Sequence, residues 1–432
     1  MQRCSTNKEA WEILFKQYDI LNEIDKKGFF TITSKQINVY REARLMTKFD
    51  NSAVLPELFK KNNLSILPIT SNSYIIARFN TYMKFEKDCG EIKKIEFPSY
   101  IESLDFKNIT SEAIAINCSY ITKMLEDFLE DSKVVPTVSG KMSSGIFKFD
   151  ISELNSNKNI NVSVENSRLE IDGGYEGIKS LALIEAKNFI SDDFMVRQLY
   201  YPYRLWTERI SKPVRPIYLV YTNGIFTIYE YEFRNKNDYS SIHLVKSKRY
   251  CIDDASITIL DLQNIVENIK CIEEPKLPFP QADKFERVIN LCELLESDVK
   301  TKKEITENYA FDERQTNYYT DAARYLGLVE KKNNDYGDII YYLTKKGEKI
   351  LKLDFRQRQF EYIKLILQHK VFNETMKLYI KNNFNRKINV NEIVEIMKKC
   401  KLYNLNSDET YKRRAQTIKG WIEWMMDILE RN

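Results

Sequence analysis

The sequence predicts a mixed α/β protein of two or three domains: an α+β N-terminal region, a strand-rich centre and a helical C-terminal region. Three observations carry this expectation. The chain has 432 residues, 43% of them hydrophobic and 30% charged, the composition of a folded protein. The segment Glu273 to Asp283 holds Pro275, Pro278 and Pro280, which exclude helix and lack donors for a sheet interior, so it reads as a linker. Before it, β-branched and aromatic runs dominate; after it, apolar residues recur mostly at helical spacing. The expected boundaries are 1–95, 96–272, a linker at 273–283, then 284–352 and 353–432.

In chain order, a helix is expected around Trp11 to Leu21 and a strand from Ser73 to Phe79. Thr110 and Ser111 are N-cap candidates for a helix from Glu112 to Phe128, where Ile114, Cys118, Ile121, Leu125 and Phe128 share one face. Asn161 to Asp172 and Leu181 to Lys187 read as strands, the second apolar on both faces as a central strand should be. Ser191 caps a helix from Asp192 toward Ile210. Pro216 to Tyr221 and Ile225 to Tyr231 form a hairpin, because Asn223-Gly224 suits the positive φ angles of a type I′ turn.

Beyond the linker, Phe285, Val288, Ile289, Cys292 and Leu295 mark one helix, and the capping box Thr301-x-x-Glu304 opens a second. Asp312-x-x-Gln315 opens a third, ended by Gly327. Leu328 to Lys332 and Ile339 to Leu343 then flank Asn333 to Asp338 as a two-stranded wing, which makes 284–352 a winged-helix pattern. A last helix spans Asp408 to Leu429 with Tyr411, Ala415, Ile418, Ile422, Met425 and Leu429 along its core stripe. Trp421 and Trp424 complete that packing.

Composition excludes several chemistries. Lys and Arg exceed Asp and Glu by only 4, too few for an unselective polycation. Basic charge is instead local, with 20 Lys and Arg against 11 Asp and Glu over 341–432. Seven scattered cysteines without C-x-x-C signal neither a disulfide framework nor a zinc knuckle. His243 and His369 lie far apart, against a histidine-metal nuclease, a zinc hydrolase or a Ser-His-Asp hydrolase. With no apolar signal core and no run of membrane-spanning length, a cytoplasmic protein is expected. Chemistry must then run on carboxylates and amines.

The segment that offers such chemistry is Leu169-Glu-Ile-Asp-Gly-Gly174 followed by Leu181-Ala-Leu-Ile-Glu-Ala-Lys187. Strand alternation puts Glu185 and Lys187 on one face and Ala186 on the other. If the two strands pair antiparallel, Asp172 meets Glu185, and Gly173-Gly174 lets the backbone bend away. Two carboxylates and the Ala186 carbonyl would suit Mg²⁺, and Lys187 would orient a water or oppose charge on a phosphate. Glu170 shares the Asp172 face, either as a ligand to a second metal or as a solvated or lysine-paired glutamate. Gln198 follows on a helix, where its amide would reach a phosphate, a base or the lysine; Pro202 leaves its carbonyl without a helical donor.

These residues resemble the PD-(D/E)XK nucleases, specifically type II restriction endonucleases with a C-terminal winged-helix region. The likeness extends through Ser139-Gly-Lys-Met-Ser-Ser-Gly-Ile-Phe147, Glu170-Ile-Asp-Gly-Gly-Tyr-Glu176, Ile184-Glu-Ala-Lys-Asn188 and Arg197-Gln-Leu-Tyr-Tyr-Pro-Tyr203. Arg44 to Asp50 and Leu64 to Pro68 are similar to the group's N-terminal region. Ile171 stands where the superfamily's name has proline. The resemblance implies a central nuclease core over 96–272, with Asp172 and Glu185 as metal ligands, Lys187 as the catalytic lysine, and Mg²⁺ replaceable by Mn²⁺. It also implies site-specific cleavage of double-stranded DNA to 5′-phosphate and 3′-hydroxyl ends, by a homodimer, alongside a DNA methyltransferase.

Candidate DNA contacts are Lys141, Ser143 and Ser144 in the glycine-flanked loop Val138 to Gly145, Gln198, Arg314, Gln315 and Asn317 on the third C-terminal helix, and Arg413, Arg414 and Thr417 on the last one. Residues 1–95 are a further candidate for DNA recognition. Two competing readings are an endonuclease that cuts methylated DNA, and a DNA-binding regulator on an inactive nuclease scaffold.

Overall fold

Alternation along Leu181–Lys187 organises the centre of the molecule. Leu181 and Leu183 enter one hydrophobic core while Ala182, Ile184 and Ala186 enter another, so the strand is covered on both faces. This computed structural model describes residues 4, 6–86, 90–107, 109–156, 158–252, 257–308, 313–400, 402–403, 405 and 407–429. Within them the architecture is mixed α/β, and no helix is long and apolar enough to cross a membrane.

A seven-stranded sheet runs in the order Ile92–Lys94, Ile242–Cys251, Ile225–Phe233, Val214–Thr222, Leu181–Lys187, Arg168–Gly177, Val134–Ser143. Leu181–Lys187 lies parallel to Val214–Thr222 and antiparallel to Arg168–Gly177. A parallel pair needs a crossover, here the helix Arg197–Thr207. The helices Glu112–Ile121 and Met124–Leu129 cover the opposite face. Asn223 and Gly224, with φ of 52° and 72°, close the expected hairpin.

Several expected elements break where the backbone turns left-handed. The first helix is two, Asn7–Gln17 and Ile20–Lys27, separated at Asp19 with φ of 47°. The helix expected over 112–128 divides at Lys123, φ 63°, although Ser111 caps it as expected. The strand expected over 161–172 is two strands, Asn159–Glu165 and Arg168–Gly177, in different sheets. Ser191 caps nothing, because Asp193–Met195 is drawn into a two-stranded pair with Tyr82–Lys84 and the helix waits until Arg197. Gly173 and Gly174 stay extended within the strand. Their role is close approach, since a Cβ on Gly174 would lie 2.6 Å from the Cβ of Val138 on the neighbouring strand.

The N-terminal elements are continuous with the centre. Trp11, Ile24, Phe59 and Ile76 belong to the same hydrophobic core as Leu183, Tyr201 and Tyr218. A separate core joins Leu262 and Val266 of the helix Ile259–Asn268 to the C-terminal helices, so this helix packs with the C-terminal body despite preceding the proline-rich segment. In that body Thr301 and Glu304 form the capping box, followed by the helices Lys302–Asn308 and Glu313–Tyr325 and the paired strands Val329–Asn333 and Ile339–Leu343. Asp312 lies outside the described residues.

The expected linker is not a free tether. Phe279 and Ala282 are buried, Ala282 O accepts from Trp421 Nε1 at 2.6 Å, and Asp283 Oδ1 accepts from Thr417 Oγ1 at 2.7 Å. The segment passes so close to the last helix that a Cβ on Gly420 would overlap Asp283 O. Gly420→Ala is therefore expected to destabilise the chain by about 1–3 kcal/mol. Thermal unfolding checks this, and an unchanged midpoint would contradict the close approach.

Candidate active site

The strand Leu181–Lys187 delivers two ionisable side chains into a covered position. Glu185 and Lys187 follow the face of Leu181 and Leu183, and both are nearly buried, at 8% and 7% exposure. Charged groups lose hydration there and need partners. Lys187 Nζ lies 2.6 Å from Glu185 Oε1, donates to Ala186 O at 3.0 Å, and stands 3.6 Å from Glu112 in the first turn of the covering helix.

Asp172 enters from the neighbouring strand as the expected antiparallel pairing requires. Its Oδ2 accepts from the Ala186 backbone N–H at 2.9 Å, just past the last paired residues, Gly173 and Ile184. Gln198 donates through Nε2 to Glu185 Oε1, and among the described residues its own buried Oε1 has no partner. It therefore reaches the carboxylate of the cluster from the helix that follows.

The electrostatics of this cluster are acidic. Burial raises the Glu185 carboxyl to about 7; nearby Lys187 opposes that shift, and the charges of Asp172 and Asp50 add to it. Glu112 is also raised, chiefly by burial. Burial by itself would lower the Lys187 ammonium, but the charges of Glu185, Glu112 and Asp50 outweigh it and hold Lys187 well above the ordinary lysine value. Lys187 is therefore a cation at neutral pH, suited to opposing negative charge rather than to taking a proton.

Sequence reasoning missed Asp50 and Glu112. Glu112 was legible as the first residue after its cap, but nothing in the chain linked that turn to Lys187, 75 positions away. Asp50 arrives from the N-terminal elements, where its backbone carbonyl accepts from Met195 N at 2.8 Å.

Asp172, Glu185 and the Ala186 carbonyl offer the hard oxygen donors that Mg²⁺ prefers. Oδ1 of Asp172 and Oε2 of Glu185 accept no hydrogen bond among the described residues. The charges of Asp50, Glu112, Asp172 and Glu185 are opposed by Lys187 and Lys48. Among the described residues no group of three or more His, Cys, Asp or Glu is placed to hold a metal, so a cation here would complete its shell with the carbonyl and water. The residues fit on donor chemistry and charge.

The remaining candidates are dispersed. Glu170 is exposed and lies across from Lys141, the lysine-facing alternative, outside the buried cluster. Val138 to Gly145 is mostly strand rather than loop, since Val134–Ser143 is paired along Arg168–Gly177. Ser143 is exposed and donates to Asn166. Ser144 is buried, accepting from Ser167 N at 3.0 Å and donating to Gly145 O, so its hydroxyl is engaged within the protein. Arg314 and Asn317 are exposed and Gln315 half-buried; Arg314 bonds Tyr318. Arg413 is exposed, Arg414 half-buried with its guanidinium lowered mainly by burial, and Thr417 fully buried against Asp283, so Thr417 is structural.

Three families, each described as a domain of unknown function, match the chain in succession: DUF6996 over residues 8–76, DUF6997 over 77–251 and DUF7226 over 287–430. The second contains Asp172, Glu185 and Lys187. No curated protein and no solved structure matches.

The raised Glu185 carboxyl generates a direct expectation. Carbon-13 titration of labelled glutamate carboxyls should show one group with a midpoint near 7, and Lys187→Met should move it higher, because the opposing cation is lost. A carboxyl titrating near the ordinary glutamate value, or a downward move in the variant, would contradict the burial and the pairing.

Proposed function

We propose that the chain is a Mg²⁺-dependent endonuclease that hydrolyses phosphodiesters of double-stranded DNA at specific sites, in a cytoplasmic restriction system. The observation that carries the reading is the convergence of Asp172, Glu185, the Ala186 carbonyl and Lys187 at the end of one buried strand. Asp172 and Glu185 with the Ala186 carbonyl would hold the cation. When bound, Mg²⁺ supplies a more acidic water and charge neutralisation at the scissile phosphate. Lys187, held protonated, opposes the charge that grows on the phosphate during in-line displacement. Gln198 orients Glu185, and Asp172 is oriented by the Ala186 N–H.

Binding is assigned to the C-terminal half. The helices Lys302–Asn308 and Glu313–Tyr325 with the hairpin Val329–Leu343 read as a winged helix presenting Arg314, Gln315 and Asn317. Arg413 adds a phosphate contact from the last helix. Each chain offers one acidic cluster, so a double-strand cut needs two chains across the duplex, a homodimer on DNA.

Plasmid cleavage tests the reading. Cutting is expected with Mg²⁺ or Mn²⁺ and none in EDTA. Asp172→Ala, Glu185→Ala and Lys187→Ala should each lower the rate at least about a hundredfold while DNA binding persists. Near-wild-type cleavage by Asp172→Ala or Glu185→Ala would remove the assignment. Because Glu185 must lose its proton to bind the cation, its raised carboxyl predicts that activity falls below about pH 7, and that more Mg²⁺ moves this limb to lower pH.

A separate binding measurement addresses the last helix. Arg413→Ala should weaken binding to all sequences alike and flatten its salt dependence by about one unit of slope. An unchanged slope would leave Arg413 as a solvated surface residue.

A further inference from the structure

The chain leaving Lys187 is gripped from outside the sheet. Asn290, on the helix Phe285–Leu294 of the C-terminal body, donates through Nδ2 to Asn188 O at 2.9 Å and accepts through Oδ1 from Ile190 N at 3.3 Å. One buried amide thus stands in for the strand partner that this backbone lacks. In the amide orientation that faces acceptor to donors, the Asn188 side-chain oxygen accepts from Ser111 N at 3.3 Å and Glu112 N at 3.2 Å, the turn that carries Glu112 to Lys187. Farther along, Asp192 meets Arg287 at 3.3 Å and also Lys284, both next to or on the Asn290 helix. Asp193 turns the other way and accepts from Ser52 N at 2.7 Å. The whole stretch between Lys187 and Gln198 is therefore pinned by the two flanking bodies.

We propose that Asn290 is a positioning residue for the Asp172–Glu185–Lys187 cluster, so that the cluster is complete only with the C-terminal body docked. The inference rests on the endonuclease reading for its consequence, not for its geometry. Freed from Asn290, the backbone at Asn188 and Ile190 loses its only described side-chain partner on that side, and Asn188, whose side chain meets the Glu112 turn, is held less firmly. The loss falls on the geometry of the cluster and not on DNA affinity.

The test compares full-length Asn290→Ala with Tyr325→Phe, in the same C-terminal body, whose hydroxyl donates to Glu274 and does not touch the chain after Lys187. Asp192→Asn, at a half-exposed position, loosens the same stretch without opening the core. Amide exchange by mass spectrometry over 184–191 and steady-state cleavage are read for each. Asn290→Ala should speed exchange in that segment about tenfold and lower kcat about tenfold or more with KM within about twofold. Asp192→Asn should move both in the same direction by less, and Tyr325→Phe should move neither even if its thermal midpoint falls. Wild-type exchange in Asn290→Ala, or equal acceleration in Tyr325→Phe, would overturn the positioning role. Should Asn290→Ala fail to fold, unchanged exchange and kcat in Asp192→Asn would overturn it. No cleavage by the wild-type chain would count against the endonuclease reading alone, while the exchange comparison would still decide the role of Asn290.

Discussion

The buried pairing of Lys187 with Glu185 is the constraint around which the central region is arranged. Two opposite charges two residues apart on a strand with both faces covered would be costly unless further groups satisfied them. Each neighbour can be understood from that need. Gln198 takes the second approach to Glu185, the Ala186 carbonyl takes a second proton of Lys187, and Glu112 adds a more distant charge. Burial, which Lys187 opposes and the neighbouring acids Asp172 and Asp50 reinforce, is why the Glu185 carboxyl is raised to about 7.

Much of this was legible in the sequence, because strand period and hydrophobic content are local. Leu181 to Lys187 was predicted residue for residue, as were the Asn223-Gly224 hairpin turn and the Thr301 capping box. Breaks at Asp19 and Lys123 were not legible, since the apolar pattern runs through both and, while aspartate tolerates a positive φ, lysine does not announce one. Asp193 to Met195 looked helical but became a strand because its partner, Tyr82 to Lys84, lies more than a hundred residues earlier. Thr417 looked like a surface residue because a hydroxyl reads as polar; its partner Asp283 supplies the hydrogen bond that permits burial.

The flanking regions do more than decorate the sheet. The N-terminal elements share a core with one of its faces, and Asp50 and Ser52 reach the chain between Lys187 and Gln198. The C-terminal body reaches the same chain through Asn290 and Arg287, and reaches the hairpin turn through Glu293. Three consecutive matches to families described as domains of unknown function thus lie along a chain whose described contacts cross between them.

The packing of the proline-rich segment against the last helix bears on the order in which the chain folds. Asp283 and Thr417 are 134 positions apart, and Ala282 and Trp421 are 139 apart, yet both pairs are hydrogen-bonded and the second is fully buried. Closing loops of that length is entropically expensive, and contacts of such separation form late. The helical body can therefore seal only after Trp421 has left the ribosome, whereas the strand Leu181–Lys187 and its sheet neighbours are available much earlier. Until then Phe285, which meets Trp421 edge-on and Trp424 at a tilt, has no ring partners from that helix, and the partly made chain leaves that apolar face open.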